Sequence, residues 1–320
     1  MTDVTANGRD AVSDPPFEFM EVGQRLSNWG RWGEGDELGT LNFITPQKIV
    51  AAAKLIRSGQ AFDLSLPLDS RGPQRGANGR NNPIHLMTIA DDESLPASMS
   101  LADDMAILSL QCATQWDSLA HVGYGKFLYN GTPTSSISLR DGARRNSIDK
   151  LRHRVVGRGV LIDIAGSRGV DALQGGYEIM PEDLESAERK QGVRVGSGDV
   201  VLIRTGWQQN LEKDDIATYM GKSAPGIGLA CCEWLHDREA AAVATDTQAV
   251  EVKPSRDPIA THPIHMVLIR DMGMTMGEMF DLEELARSCS QDGVYEFFFS
   301  APPLKITGAV GSPITPIAIK

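Results

Sequence analysis

The stretch Gln111-Cys112-Ala113-Thr114-Gln115-Trp116-Asp117-Ser118-Leu119-Ala120-His121 directly follows an apolar run, Met105 to Leu110, that predicts a buried strand. If this strand continues through Asp117, every second residue from Gln111 onward lies on one face, because side chains alternate along a strand. His121 lies beyond the predicted strand end, where its imidazole can fold back over the same pocket. These carboxamides, the carboxylate and the imidazole can bind a cation and leave a base beside it. A satisfied buried polar network is the alternative, and the spacing does not decide between the two.

Composition limits the class of protein. The chain has 320 residues, 41% of them hydrophobic, which is enough for a large core. A net charge of -11 without a basic tract argues against a nucleic-acid-binding surface. The four cysteines show no Cys-x-x-Cys spacing and are predicted to be buried thiols in a reducing compartment. Residues 1–16 lack the apolar core of a signal peptide, and no later run approaches a membrane span.

These features predict a cytoplasmic protein with no membrane and no nucleic-acid partner. Residues 1–16 are polar and acidic, which predicts a mobile N-terminal tail. No repeat or low-complexity linker divides the remainder, so residues 17–320 are expected to form a single domain.

The second half of the chain alternates between apolar runs and helical patterns. Residues 159–164, 199–204 and 240–245 predict buried strands, and residues 181–192 and 229–235 predict helices between them. Residues 294–299 predict a last strand, and residues 308–320 a tail rich in Gly and Pro. This alternation predicts an α/β fold.

Three aromatic residues are candidates for contacts with a substrate. Trp32 lies in a glycine-rich loop segment, Trp116 in the central stretch, and Tyr124 in the long connection 123–146. Aromatic side chains on such loops can line a pocket, although packing over the edge of the core is the more common role.

A second polar pair follows near the end of the chain. His262-Pro263-Ile264-His265 predicts the start of a helix, with Pro263 in its first turn. Met274 to Met279 predicts a short apolar strand that contains Glu278. A carboxylate buried in such a strand needs a partner, either a cation or a set of hydrogen-bond donors.

The central stretch resembles the signature His-x-Gly-Thr-His-x-Asp-x-Pro-x-His of the metal-dependent cyclase family, which includes bacterial kynurenine formamidases and isatin hydrolases. Thr114, Asp117 and His121 match this signature in register. Gln111 and Gln115 stand at two of its histidine positions. The resemblance continues beyond the signature, because His265 and Glu278 match a later histidine and glutamate that complete the metal site in the family.

The resemblance implies a swivelling β/β/α fold with a mixed central sheet flanked by helices. It also implies hydrolysis of an amide, ester or lactone bond in a small cyclic or N-acyl compound at a divalent cation. Asp117, His265 and Glu278 would hold the metal, and Gln115 would supply its oxygen or orient a bound water. His121 would act as general acid and base, because a histidine near neutrality can take a proton and return it.

The two glutamines favour one divalent cation per chain rather than two. Imidazole is a good zinc ligand, and a carboxamide oxygen is a weaker and harder donor. We therefore expect either Mn²⁺ or Zn²⁺, with the loss of nitrogen donors favouring manganese and the Irving–Williams order favouring zinc. We also expect self-association into a homodimer or homotetramer.

Two other functions fit the same sequence. A cation-assisted lyase or cyclase would use the same Lewis acid and base but would not incorporate solvent oxygen into its product. A catalytically inactive relative would bind a small molecule without turnover.

Overall fold

The strands and helices that follow come from a computed structural model that describes residues 17–90 and 99–320. The predicted tail, residues 1–16, lies outside the described residues. The strands are β1 (Ala61–Asp63), β2 (Ile84–Ala90), β3 (Ala102–Ile107), β4 (Gln115–Asp117), β5 (Ile137–Ser138), β6 (Gly142–Ala143), β7 (Val156–Asp163), β8 (Glu178–Ile179), β9 (Val200–Arg204), β10 (Gly226–Ile227), β11 (Ala242–Thr245), β12 (Thr275–Glu278), β13 (Glu296–Ser300), β14 (Gly311–Pro313) and β15 (Ile317–Ile319).

The helices flank this set of strands. They are α1 (Glu18–Arg25), α2 (Pro46–Ala53), α3 (Ile164–Ser167), α4 (Pro181–Gln191), α5 (Gln209–Glu212), α6 (Ile216–Tyr219), α7 (Cys231–Asp237), α8 (Pro263–His265) and α9 (Glu283–Asp292). A π-helical segment, Met266–Met272, continues α8. Short 3₁₀ turns span Gly39–Phe43, Ala77–Gly79, Tyr129–Gly131, Thr134–Ser136 and Ile148–Leu151. No helix in the described part of the chain is long and apolar enough to span a membrane.

The central sheet has nine strands in the order β1-β15-β13-β7-β9-β11-β12-β4-β14. The middle strands β7, β9, β11 and β12 run parallel to one another, and the strands on both sides of them pair antiparallel. The sheet is therefore mixed, as predicted. β4, which carries the central stretch, lies between β12 and β14 near one edge.

The middle strands β7, β9 and β11 contain continuous apolar runs because the sheet is covered on both faces. Val160 and Ile162 of β7 belong to the core on one side, which includes residues of α1, α4 and α7. Leu161 belongs to the core on the other side, together with residues of α9. A strand buried on both faces needs apolar side chains at consecutive positions, which explains the continuous runs in the sequence.

The apolar run Met105 to Leu110 is not a buried strand, and that prediction is wrong. Residues up to Ile107 belong to β3, which pairs with β2 in a two-stranded hairpin separate from the central sheet. Every residue of β3 is exposed. The chain then turns at Gln111 before β4 begins at Gln115. Gln111 and Ala113 therefore do not share a strand face with Asp117.

The Gly/Pro-rich end of the chain also differs from its prediction as a tail. Residues 311–313 form β14, which pairs with β4, and residues 317–319 form β15, which pairs with β1 and β13. Strands this short carry too few residues for a period-of-two pattern.

The four cysteines are buried and free, as predicted for thiols.

Candidate metal centre

The pairing of β4 with β12 brings three polar side chains to one face of the sheet. Gln115 lies directly opposite Glu278, and Asp117 lies opposite Met276. Because side chains alternate along a strand, Gln115 and Asp117 point to the same side, and Glu278 is their cross-strand neighbour. The Gln115 amide donates to Glu278 Oε2 at 2.9 Å and approaches Asp117 Oδ1 at 3.5 Å.

Trp116 points to the other side of the sheet, so its predicted contact with substrate is wrong. Its ring is fully buried against Phe280, and its Nε1 donates to the Ala301 carbonyl at 2.9 Å. A Cβ on Gly277, the residue opposite, would lie 2.6 Å from the Trp116 ring. Glycine at 277 therefore makes room for the indole in the core.

His265 completes the group from the helical side. It is the last residue of α8, and its Nε2 lies 3.4 Å from Glu278 Oε1. Its Nδ1 contacts the carboxylate of Glu251. Glu251 also accepts hydrogen bonds from the backbone N–H groups of Ile264 and His265 at 3.2 and 3.3 Å. This carboxylate fixes the imidazole with Nε2 directed at Glu278.

Asp117, His265 and Glu278 each offer a ligand atom, and these atoms all lie within 4.8 Å of one another. All three residues are buried. Gln115 Oε1 and Asp117 Oδ2 are buried atoms with no hydrogen-bond partner among the described residues. Unpaired buried oxygens beside an imidazole nitrogen suit a divalent cation, which would satisfy them. The residues predicted to hold a metal therefore fit one.

The pKa values of Asp117 and His265 are both raised, so the group favours added positive charge. Burial raises the pKa of Asp117, while the nearby His121 opposes that shift. Burial alone would lower the pKa of His265, but the Glu251 and Glu278 carboxylates together raise it to about 10. Metal binding replaces such protons, because a coordinating imidazole must be neutral and a coordinating carboxylate ionised.

His121 lies next to this group in the loop after β4. Its Nε2 is 3.8 Å from Asp117 Oδ1, and its Nδ1 has no partner among the described residues. The side chain remains 20% exposed. It is therefore placed beside the proposed ligands and within reach of a molecule in the adjoining cavity.

The cavity above the group has a volume of about 670 Å³ and is lined by His121, His265, Glu278 and Gln111 among others. Cavities that bind small molecules span about 300–1,000 Å³. Gln111, which the sequence placed on the strand, reaches the cavity from its turn and lies over Gly311, where a Cβ would be 2.4 Å from its amide nitrogen. This packing explains why the neighbouring strand carries glycine there.

Trp32 and Tyr124 do not line this cavity, and their role as substrate contacts stays a prediction. Trp32 packs edge-on against Phe43. The Tyr124 hydroxyl donates to Asp271 at 2.9 Å, and its ring packs on Phe19. Both rings cover parts of the core, which is the alternative role that aromatic loop residues commonly have.

Glu251 is the functional candidate that the sequence did not reveal. It lies in an irregular segment after β11, where no period marks a buried position. The preceding residue, Val250, has φ +56°, a left-handed conformation that is unfavourable for a β-branched side chain. Such strain is concentrated at functional sites, because surrounding contacts must hold it in place.

Similarity to known proteins supports this description of the fold. Residues 62–252 match the family described as "Putative cyclase". A solved structure described as a novel cyclase is 42% identical and has a TM-score of 0.86, covering 92% of this chain and 99% of that chain. A search of curated proteins gave no match.

More distant structures share the fold. Isatin hydrolase A from Ralstonia solanacearum is 22% identical with a TM-score of 0.63, covering 87% of this chain and 98% of that chain. A structure described as a potential metal-dependent hydrolase with cyclase activity is 16% identical with a TM-score of 0.51, covering 81% of this chain and 98% of that chain. The predicted α/β fold is therefore confirmed. The family match spans more than half of the chain, and the 42% identical structure covers nearly all of it, so the chain belongs to the putative cyclase family.

Proposed function

We propose that this protein is a metal-dependent hydrolase that cleaves an amide, ester or lactone bond in a small cyclic or N-acyl compound. The observation that carries the proposal is the buried group of Asp117, His265 and Glu278 at the wall of a cavity, with His121 beside it. The distant likeness to isatin hydrolases and to a metal-dependent hydrolase is consistent with it.

The residues have separate roles in this proposal. Asp117, His265 and Glu278 hold a divalent cation, and Glu251 orients the His265 imidazole. A divalent cation bound there would lower the pKa of a coordinated water toward about 7 and would polarise a carbonyl oxygen. His121 takes the proton of the attacking water and returns it to the leaving group.

A single cation, Mn²⁺ or Zn²⁺, suits the ligands of this chain better than two. Gln115 donates its amide N–H groups to Glu278 and toward Asp117, so its remaining oxygen is the one atom it can offer to a metal or a bound water. Gln111 offers a carboxamide at the other position where the signature has a histidine. Neither side chain supplies the nitrogen donors that a second zinc ion would need.

The reaction type is tested by isotope incorporation during turnover in H₂¹⁸O. Metal-loaded protein is screened on lactones, cyclic amides, esters and formamides, and the products are examined by mass spectrometry. We expect solvent oxygen in the product carboxylate, since water is the nucleophile. Conversion without incorporation of ¹⁸O would contradict the assignment as a hydrolase and indicate a cation-assisted lyase or cyclase. Ligand binding without any conversion would favour an inactive binding protein.

Replacing His121 by Ala is expected to lower kcat by about 100-fold or more, the usual contribution of a general acid and base. Metal content should stay near that of the parent protein, because the three proposed ligands are unchanged. Steady-state kinetics and elemental analysis of the same preparation check both parts.

His236→Ala is the matched control for this substitution. His236 is a partly exposed histidine on α7, with 28% of its side chain accessible, and it does not line the cavity. The control should retain turnover. Parallel loss of metal and activity in His121→Ala would instead make His121 a metal ligand.

Self-association and a cytoplasmic location also stay predictions. An exposed apolar surface that a second copy could bury exists on the hairpin of β2 and β3, where Leu86, Met87 and Ile107 are about half exposed. Sedimentation of the purified chain decides between monomer, dimer and tetramer.

A further inference from the structure

The cavity beside the candidate metal centre carries positive charge as well as carboxylates. Arg80 lines its wall together with Gln248, Thr261 and His262. Lys253 lies behind this wall and donates to the side chain of Gln248. Two cationic side chains are thus held at one cavity whose metal-binding group is acidic.

Arg80 differs in its surroundings from three partly buried arginines that are paired. Arg158, Arg204 and Arg238 each form an ion pair with a buried carboxylate. In residues 17–90 and 99–320, no carboxylate forms an ion pair with Arg80, and its guanidinium forms no hydrogen bond to another side chain, although the residue is half-buried. A cation that has lost part of its water and has no carboxylate partner among the residues that the structure describes is stabilised by an incoming anion.

The loop before Arg80 contains three residues in the left-handed conformation. Gly76, Asn78 and Gly79 have φ angles of +83°, +56° and +71°. Glycine and asparagine adopt this conformation with little strain, so the composition of the loop suits its path. Arg80 follows this loop, lines the cavity and is more exposed than His265 and Glu278, which are each 4% exposed.

The cavity wall also includes apolar side chains among its polar ones. Leu110, Val122, Met266 and Val310 contribute to it. A ligand that spans the cavity would place an anionic group at Arg80, an apolar part against these side chains, and its scissile carbonyl at the metal group.

We propose that Arg80 binds a carboxylate of the substrate, so that the substrate class is a small acyl compound, amide, ester or lactone, that carries a carboxylate and an apolar body. This inference rests on the proposed function for the scissile bond, but the recognition of the anion is a separate property. The planar guanidinium can hold a carboxylate through two parallel hydrogen bonds.

The test compares matched ligands that differ by one charge. N-acetyl-leucine and N-acetyl-phenylalanine are titrated into metal-loaded protein by calorimetry, each beside its neutral C-terminal amide, and KM is measured wherever turnover occurs. We expect the acids to bind more tightly than the amides. Arg80→Ala should weaken binding of the acids by about 10- to 100-fold, the range for a charge-assisted pair, and leave the amides unchanged. The affinity of Arg80→Lys for the acids should lie between that of the parent protein and that of Arg80→Ala, because lysine keeps the charge but lacks the planar guanidinium.

Arg71→Ala is the control, because Arg71 lies in the same loop and its side chain is 90% exposed. It should preserve the preference for acids. Equal affinity for acid and amide, including no binding of either, overturns the proposal. A preference for acids that persists in Arg80→Ala also overturns it, since the carboxylate would then bind the cation. Failure to hydrolyse any compound counts against the proposed function alone, because the affinity ratio still decides the role of Arg80.

Discussion

Asp117→Asn protein is expected to contain almost no divalent metal and to be inactive, whereas the parent protein is expected to contain close to one ion per chain. The substitution removes one of the ligands proposed from the group that lies within 4.8 Å. The remaining His265 and Glu278 offer too few donors, since metal affinity depends on the number and geometry of ligands. Elemental analysis after dialysis against metal-free buffer, combined with activity on a hydrolysed substrate, measures both effects.

Asp199→Asn is the matched control for a buried carboxylate. Asp199 is 5% exposed and paired with Arg158, and it does not line the site cavity. This variant should lose stability but keep its metal. Full metal occupancy in Asp117→Asn would remove Asp117 from the ligands, and two fully occupied ions in the parent would overturn the single-ion hypothesis.

Glu251→Gln is expected to weaken metal binding by about 10- to 100-fold, the usual effect of losing a carboxylate that orients a metal-bound histidine. The backbone N–H groups of Ile264 and His265 donate to different oxygens of Glu251, so glutamine, with one oxygen, retains one of these two hydrogen bonds. It removes the negative charge beside His265 Nδ1, which makes Nε2 a poorer donor to the cation. Competition with a chromophoric chelator gives the dissociation constant without reference to activity.

Glu188→Gln controls for the loss of a buried carboxylate elsewhere. Glu188 is 7% exposed, accepts a hydrogen bond from the Val195 backbone and pairs with Arg238. Its substitution should leave metal affinity unchanged. An unaltered dissociation constant in Glu251→Gln would show that the carboxylate only supports the backbone of α8.

The sequence alone determined the central part of the sheet. Strands β7, β9 and β11 are buried on both faces, and only continuous apolar runs satisfy that environment. The same kind of apolar run led to a wrong prediction at Met105 to Leu110. An apolar segment has the same composition in a core strand and in an exposed hairpin, and its burial depends on what packs against it.

Alternation along one strand also predicted that Gln115 and Asp117 share a face. Alternation also places Trp116 on the opposite face, but it could not predict that this face is core, because the residues that cover it, Phe280 and Ala301, lie far along the chain. The resemblance to the cyclase family supplied His265 and Glu278, whose approach to Asp117 the structure then shows.

Tertiary structure alone decided the surroundings of these residues. Glu251 and Arg80 lie in irregular segments with no periodic pattern, and each gains its significance from a neighbour distant in sequence. Strands β14 and β15 are short and form because β4 and β13 offer them open edges. Local sequence determines backbone preference and the alternation of side chains. The pairing of distant segments, which minimises unpaired buried polar groups over the whole chain, determines which side chains meet.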